Sequence, residues 1–125
     1  MRHLARELRV VAFGGRGFSD RLFAFHMLDC FAAAVLHPGD TLIVIEGGAR
    51  GADRTGRDWA FSRGHRVWTF PAEWNSLGRG AGFARNQRMI DVGRPHGAIA
   101  FPGGSGTADM TRRVRVAQIP LWEIT

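Results

Sequence analysis

Short runs of branched and aromatic residues recur along this chain, and glycine or proline stops each one abruptly. Arg9-Val10-Val11-Ala12-Phe13 stops at Gly14-Gly15, and Thr41-Leu42-Ile43-Val44-Ile45 stops at Gly47-Gly48. Arg66-Val67-Trp68-Thr69-Phe70 ends at Pro71, and Gly97-Ala98-Ile99-Ala100-Phe101 ends at Pro102-Gly103-Gly104. The second run is apolar after its first residue, the pattern of a strand buried on both faces of a parallel sheet. Segments of helical length and spacing separate the runs. Ser19 or Asp20 caps a predicted helix to about Leu36, with Leu28, Phe31, Ala32 and Val35 at helical intervals and Pro38-Gly39 beyond its end. Further helices are predicted from about Ala52 to Arg63, about Phe83 to Val92, and from near Thr107 to about Val116. The stretch from Ala72 to Gly82 reads as looser. Ile119 to Ile124 reads as a closing strand, with Pro120 suited to its start. Five strands alternating with four helices predict an α/β fold, a three-layer domain with a mainly parallel five-stranded sheet. The 125 residues fit a single domain, 1–125, without linker or repeat.

Composition narrows the class. A hydrophobic fraction of 45% with 22% charged residues is globular and excludes a disordered chain. No apolar run approaches the ~20 residues of a membrane span. Arg2, Arg6 and Arg9 precede no apolar stretch of the signal-peptide kind. Cys30 is the only cysteine, which excludes an internal disulfide. Among apolar neighbours it reads as a core thiol in a reducing, cytoplasmic setting. His3, His26, His37, His65 and His96 show no ligand spacing, so no metal is expected. Seventeen basic residues against 11 acidic ones give a net charge of +6, and every basic residue is Arg. The total absence of Lys fits codon usage in a GC-rich genome. Arginines are therefore argued by position, not by number.

The unusual residues collect after the strands, where ligands bind in open parallel sheets. The three turns are Gly14-Gly15-Arg16-Gly17-Phe18, Gly47-Gly48-Ala49-Arg50-Gly51-Ala52-Asp53 and Gly103-Gly104-Ser105-Gly106-Thr107. A Gly-rich turn that feeds a helix aims unpaired N–H groups and the positive dipole end at an anion. Three at one sheet edge predict a phosphate-binding rim. None is a Walker A loop, which needs Gly-Lys-Ser/Thr, and none is the dinucleotide fingerprint Gly-x-Gly-x-x-Gly.

These turns occur in order with Trp59-Ala60, Phe70-Pro71-Ala72-Glu73-Trp74, Ala81-Gly82, Arg85-Asn86-Gln87-Arg88-Met89 and Phe101-Pro102-Gly103-Gly104-Ser105-Gly106-Thr107-Ala108-Asp109-Met110. The set resembles the YspA-like, cpYpsA-related branch of the SLOG superfamily over roughly residues 9–124. The resemblance implies a Rossmann-like fold and kinship with LOG phosphoribohydrolases, molybdenum-cofactor carrier proteins and the DNA-processing protein DprA. It further implies a nucleotide-derived ligand such as ADP-ribose or NAD, with the Pro-Gly-Gly-x-Gly-Thr turn on phosphate and no separate cofactor. A homo-oligomer is expected on the same ground, aided by the chain's nine Phe and four Trp.

Residue roles follow. Gly103, Gly104, Ser105, Gly106 and Thr107 are expected to cradle phosphate. Gly48 and Gly51 belong to the second ligand loop, with Gly14, Gly15 and Gly47 lining the turns. Asp53 reads either as an acceptor for ribose hydroxyls or as a helix cap. Arg16 and Arg50 are candidate phosphate or base contacts. Arg85 is the leading cationic ligand, and Asn86 orients it. Trp74 either stacks on a base or packs in a core or interface, while Trp59, Trp68 and Trp122 read as core. LOG hydrolases carry a catalytic Glu three residues after the Thr of this turn. Met110 stands there, and Asp109 lies about 100° around the helix from it. Glu46 and Glu73 are then the weak candidates for a carboxylate base. The leading expectation is a protein that senses or sequesters its ligand. The alternatives are N-glycosidic hydrolysis of the LOG type, single-stranded DNA binding of the DprA type, and carriage of a molybdenum cofactor.

Overall fold

The computed structural model describes residues 4–125 and, at 75, 76 and 79, the backbone alone, so Arg2 and His3 lie outside the described residues. The strands are β1 (Glu7–Phe13), β2 (Thr41–Glu46), β3 (Arg66–Thr69), β4 (Gly97–Ala100) and β5 (Leu121–Glu123). The helices are α1 (Arg21–Val35), α2 (Ala52–Ser62), the short α3 (Trp74–Leu77), α4 (Ala81–Asp91) and α5 (Ser105–Val116). The sheet runs β3-β2-β1-β4-β5, and all four neighbouring pairs are parallel. The order reverses between β1 and β4. That reversal opens a crevice at the carboxyl end of the sheet.

The pleat divides the core. Val10 and Ala12 of β1 join Leu42 and Val44 against Leu28 and Phe31 of α1 and Trp59 of α2. Their neighbours Val11 and Phe13 face the other way, with Ile45, against Met89 of α4 and Met110 and Val114 of α5. Alternation of this kind, apolar on both faces, is what a central parallel strand requires. In α1, Asp20 caps the helix by accepting the Phe23 amide at 3.2 Å, and Ala24, Leu28 and Phe31 form its buried stripe. Asp29 ties α1 to α2. It accepts from Trp59 Nε1 at 2.8 Å and from both Nε and Nη2 of Arg63 at 2.9 Å. Those bonds, Arg63 first, hold its carboxyl down at about 2.

Several expectations need correction. The looser stretch is helical: α3 is followed by a 3₁₀ turn over Gly78–Gly80 that leads directly into α4. Trp68 and Trp122 are not core. They are 40% and 38% exposed because β3 and β5 are the sheet's two edges. Cys30 is exposed as well, on the α1 face away from the Leu28–Phe31 stripe, with His26 Nε2 at 3.7 Å from its sulfur. No helix among the described residues is long and apolar enough to cross a membrane.

Trp59 has no exposed surface, and its indole N–H has one carboxylate partner. Trp59→Phe keeps most of the ring and loses that bond, so it should lower stability by about 1 kcal/mol. Trp59→Ala should cost about 3–5 kcal/mol through the cavity it leaves. Urea denaturation of both variants measures the difference.

Candidate functional site

The β1–α1 and β4–α5 turns meet over the β1/β4 reversal. The Gly15 amide donates to the Pro102 carbonyl at 2.9 Å. The contact is too close for side chains. A Cβ at Gly15 would lie 2.9 Å from Gly103 Cα, and one at Gly14 would lie 2.7 Å from Ala52 Cβ. The β2–α2 turn closes on the same place through Gly51, whose φ of +80° brings it against the backbone of Gly15 and Arg16. The Ala52 amide there donates to the Gly15 carbonyl at 3.1 Å.

Beside this junction lies a cleft of about 420 Å³. Of the candidate site residues, Gly14, Gly15, Arg16, Asp53, Trp74, Arg85, Asn86, Gly104, Ser105, Gly106 and Thr107 line it. A second compartment of about 380 Å³ adjoins it, lined by Gly47, Gly48 and Arg50 and sharing Arg16, Trp74 and Arg85 with the first. Gly51 and Gly103 line neither compartment, and their part is to let the turns pack.

The three turns differ in what their amides do. Gly48 N–H donates to Glu46 Oε1 at 2.8 Å, and Ala49 N–H donates to Asp53 Oδ2 at 3.3 Å. These two amides of the second turn are thus taken by the protein's own carboxylates. The N-terminus of α5 is different. Gly104 precedes it without a side-chain cap, and among the described residues no acceptor takes the amides of Ser105, Gly106 and Thr107. A Cβ at Gly104 or Gly106 would meet nothing, so this end faces open space.

Arg85 sits in the wall with 9% exposure. Its Nη1 donates to the Gly47 carbonyl at 2.6 Å and its Nε to Asn86 Oδ1 at 3.1 Å. Asn86 does orient it, and Asn86 Nδ2 also donates to Asp109 Oδ2 at 3.0 Å, linking α4 to α5. Burial lowers the Arg85 pKa while the Asp53 charge raises it. Asp109 faces away from the cleft into Asn86, Arg112 and Arg113; burial pushes its pKa up, but those donors hold it below the ordinary value. Met110 lines the cleft in its stead.

Asp53 is not the helix cap, a place held by Gly51. Its carboxyl is buried, and that burial raises it from 3.8 to about 6 against the pull of Arg85. Glu46 has no exposed surface and lines neither compartment. It accepts from Gly48 and from the Thr69 hydroxyl, so it braces β2 against β3 and its loop. Glu73 is exposed just before α3 and lines neither compartment. Trp74 is 48% exposed, not core, and the Arg16 guanidinium lies 5.2 Å from the centre of its ring. Arg54 lines the second compartment and was missed by sequence reasoning. Its one available signal was its place a helical turn beyond Arg50.

A family model described as YAcAr, the YspA, cpYpsA-related SLOG family, matches residues 8–76. The chain belongs to that family. The matched segment holds the first two turns and Trp74, and it ends before Arg85 and the α5 turn. The chain is also similar to the "Gene 61 protein" of Mycobacterium phage D29, at 32% identity over 120 residues, 90% of this chain and 93% of the relative.

Asp53 gives a pH test. Its folded pKa of about 6 lies above its ordinary value of 3.8, so the fold favours the protonated form. The stability this confers is whole below pH 3.8 and is lost as pH rises through 6. Asp53→Asn should therefore gain on the wild type by about 2 kcal/mol between pH 4 and pH 7. Paired urea titrations at the two pH values read the gain, and parallel curves would contradict it.

Proposed function

We propose that the protein binds a nucleotide-derived small molecule, to sense or sequester it, with a phosphate group at the N-terminus of α5. The observation that carries this reading is the unclaimed set of amides at Ser105, Gly106 and Thr107, open to a cleft whose other wall holds Arg16 and Arg85. Helix N-terminal amides and the dipole favour an anion, and guanidinium groups suit phosphate. Trp74, half-exposed on the rim, offers a face on which a base can stack. The cleft's volume of about 420 Å³ suits a small ligand. Family membership supports the same class, of which ADP-ribose and NAD are examples.

Isothermal titration with ADP-ribose, NAD, AMP and a cyclic nucleotide should find at least one that binds below millimolar. Failure of all four on folded protein overturns the reading. Ser105→Asp sharpens the test. An acidic residue suits a helix N-terminus, so melting temperature should hold or rise. The same carboxylate occupies the phosphate position, and affinity should fall about tenfold or more.

One observation favours a second reading, N-glycosidic cleavage. Asp53 places a carboxyl with a pKa of about 6 in the cleft, suited to moving a proton near neutral pH. Glu46 and Glu73, outside both compartments, lend it nothing. Chromatography of AMP incubated with protein decides. Adenine release that Asp53→Asn abolishes supports cleavage, and release no faster than that variant's rejects it.

A further inference from the structure

Among the described residues, nine arginines pair with a carboxylate. Arg16, Arg50 and Arg54 have no carboxylate partner there, and all three line the second compartment with Arg85. Arg88 sits at its lip, where Nη2 donates to the Pro71 carbonyl at 2.8 Å. Arg94, also unpaired, follows α4 at the opposite end of the sheet. Apart from Arg94, the unpaired cations among the described residues are gathered around one concavity.

Among the described residues, no carboxylate lines that concavity. Like charges around a partly desolvated hollow repel one another more than they would in water. Of the local backbone amides, those of Gly48 and Ala49 already serve Glu46 and Asp53. The cations that line it, Arg16, Arg50, Arg54 and Arg85, supply guanidinium donors to an anion that enters here. The first cleft holds an anion by amides at α5, so the two compartments offer two chemically different anion sites joined along Arg16 and Trp74.

We infer that the second compartment is a subsite for a second phosphate group of the same ligand, held by Arg50 and Arg54 with Arg16 between the two sites. The ligand class is then a nucleotide phosphorylated at two separated positions, not a simple monophosphate. This inference rests on the nucleotide reading of the first cleft.

Calorimetric titration of AMP, adenosine 3′,5′-bisphosphate, inorganic pyrophosphate and a twelve-residue oligothymidylate tests it, with wild type and the Arg50→Ala/Arg54→Ala double variant. Both side chains are exposed, so the variant should fold, which its melting curve checks. The bisphosphate should bind wild type about tenfold or more tighter than AMP, and the double variant should erase that preference while weakening AMP far less. Equal affinity of wild type for AMP and the bisphosphate overturns the inference and leaves the nucleotide reading intact. So does an equal loss of both in the variant. Pyrophosphate binding that the double variant removes, with no nucleotide bound, supports the anion subsite and overturns the nucleotide reading. Binding of none of the four overturns both. An oligonucleotide bound more tightly than the bisphosphate, with affinity falling steeply in salt, overturns the inference in favour of a nucleic-acid strand.

Discussion

A buried guanidinium holds the carboxyl end of this sheet together. Burying a charge is costly unless it is hydrogen-bonded and compensated. Arg85 meets both terms: the Gly47 carbonyl and Asn86 Oδ1 accept its protons, and Asp53 supplies the opposing charge. Through those partners it joins the β2–α2 turn to α4, and Asn86 extends the connection to Asp109 of α5. The arrangement also explains why position 47 is glycine. A Cβ there would overlap the Arg85 guanidinium and the Asp53 carboxylate. The residue that looked from its sequence like a free cationic ligand is thus first a brace, and its remaining face forms the wall shared by both compartments.

Glycine enrichment in the three turns has two physical causes. Gly14, Gly15, Gly51 and Gly103 are small so that three turns can pack backbone to backbone over the β1/β4 reversal. Gly104 and Gly106 have open space beyond them and leave the α5 amides accessible. Sequence alone treats these glycines alike, because a residue without a side chain carries no mark of what approaches it. Hydrogen bonding separates them: the α5 turn offers three amides, while the β2–α2 turn has committed those of Gly48 and Ala49 to Glu46 and Asp53.

What was legible in the sequence was local. Strand positions followed from apolar runs and the glycine or proline that ended them, and the five strands and four main helices stand where those signals put them, to within a few residues. Strand order was not local, and errors followed from it. Trp68 and Trp122 resemble core residues within their own runs, yet β3 and β5 are edges. Cys30 has apolar neighbours in sequence but lies off the buried stripe of α1. Trp74 opens a four-residue helix, too short to show a period, so the sequence left a base-stacking place and a packed one both open for it. Glu46 ends an apolar strand, and nothing in that run reveals the Thr69 hydroxyl of the neighbouring strand that occupies it.

The net charge of +6 takes on a different meaning once the ion pairs are known. Paired arginines contribute little to the field far from the surface, since each sits beside a neutralising carboxylate. Three without a carboxylate partner, Arg16, Arg50 and Arg54, lie around one concavity, where low-dielectric walls concentrate the field. Asp53, in the adjoining cleft, modulates that field. With its pKa near 6 it is mostly ionised at pH 7 and offsets Arg85, and as pH falls it becomes neutral and leaves the cleft more positive. A buried carboxyl beside unpaired arginines would therefore couple proton uptake to the binding of the proposed anion. The sign is fixed by charge: any phosphate-bearing occupant binds more strongly with Asp53 protonated, and its binding raises the Asp53 pKa further.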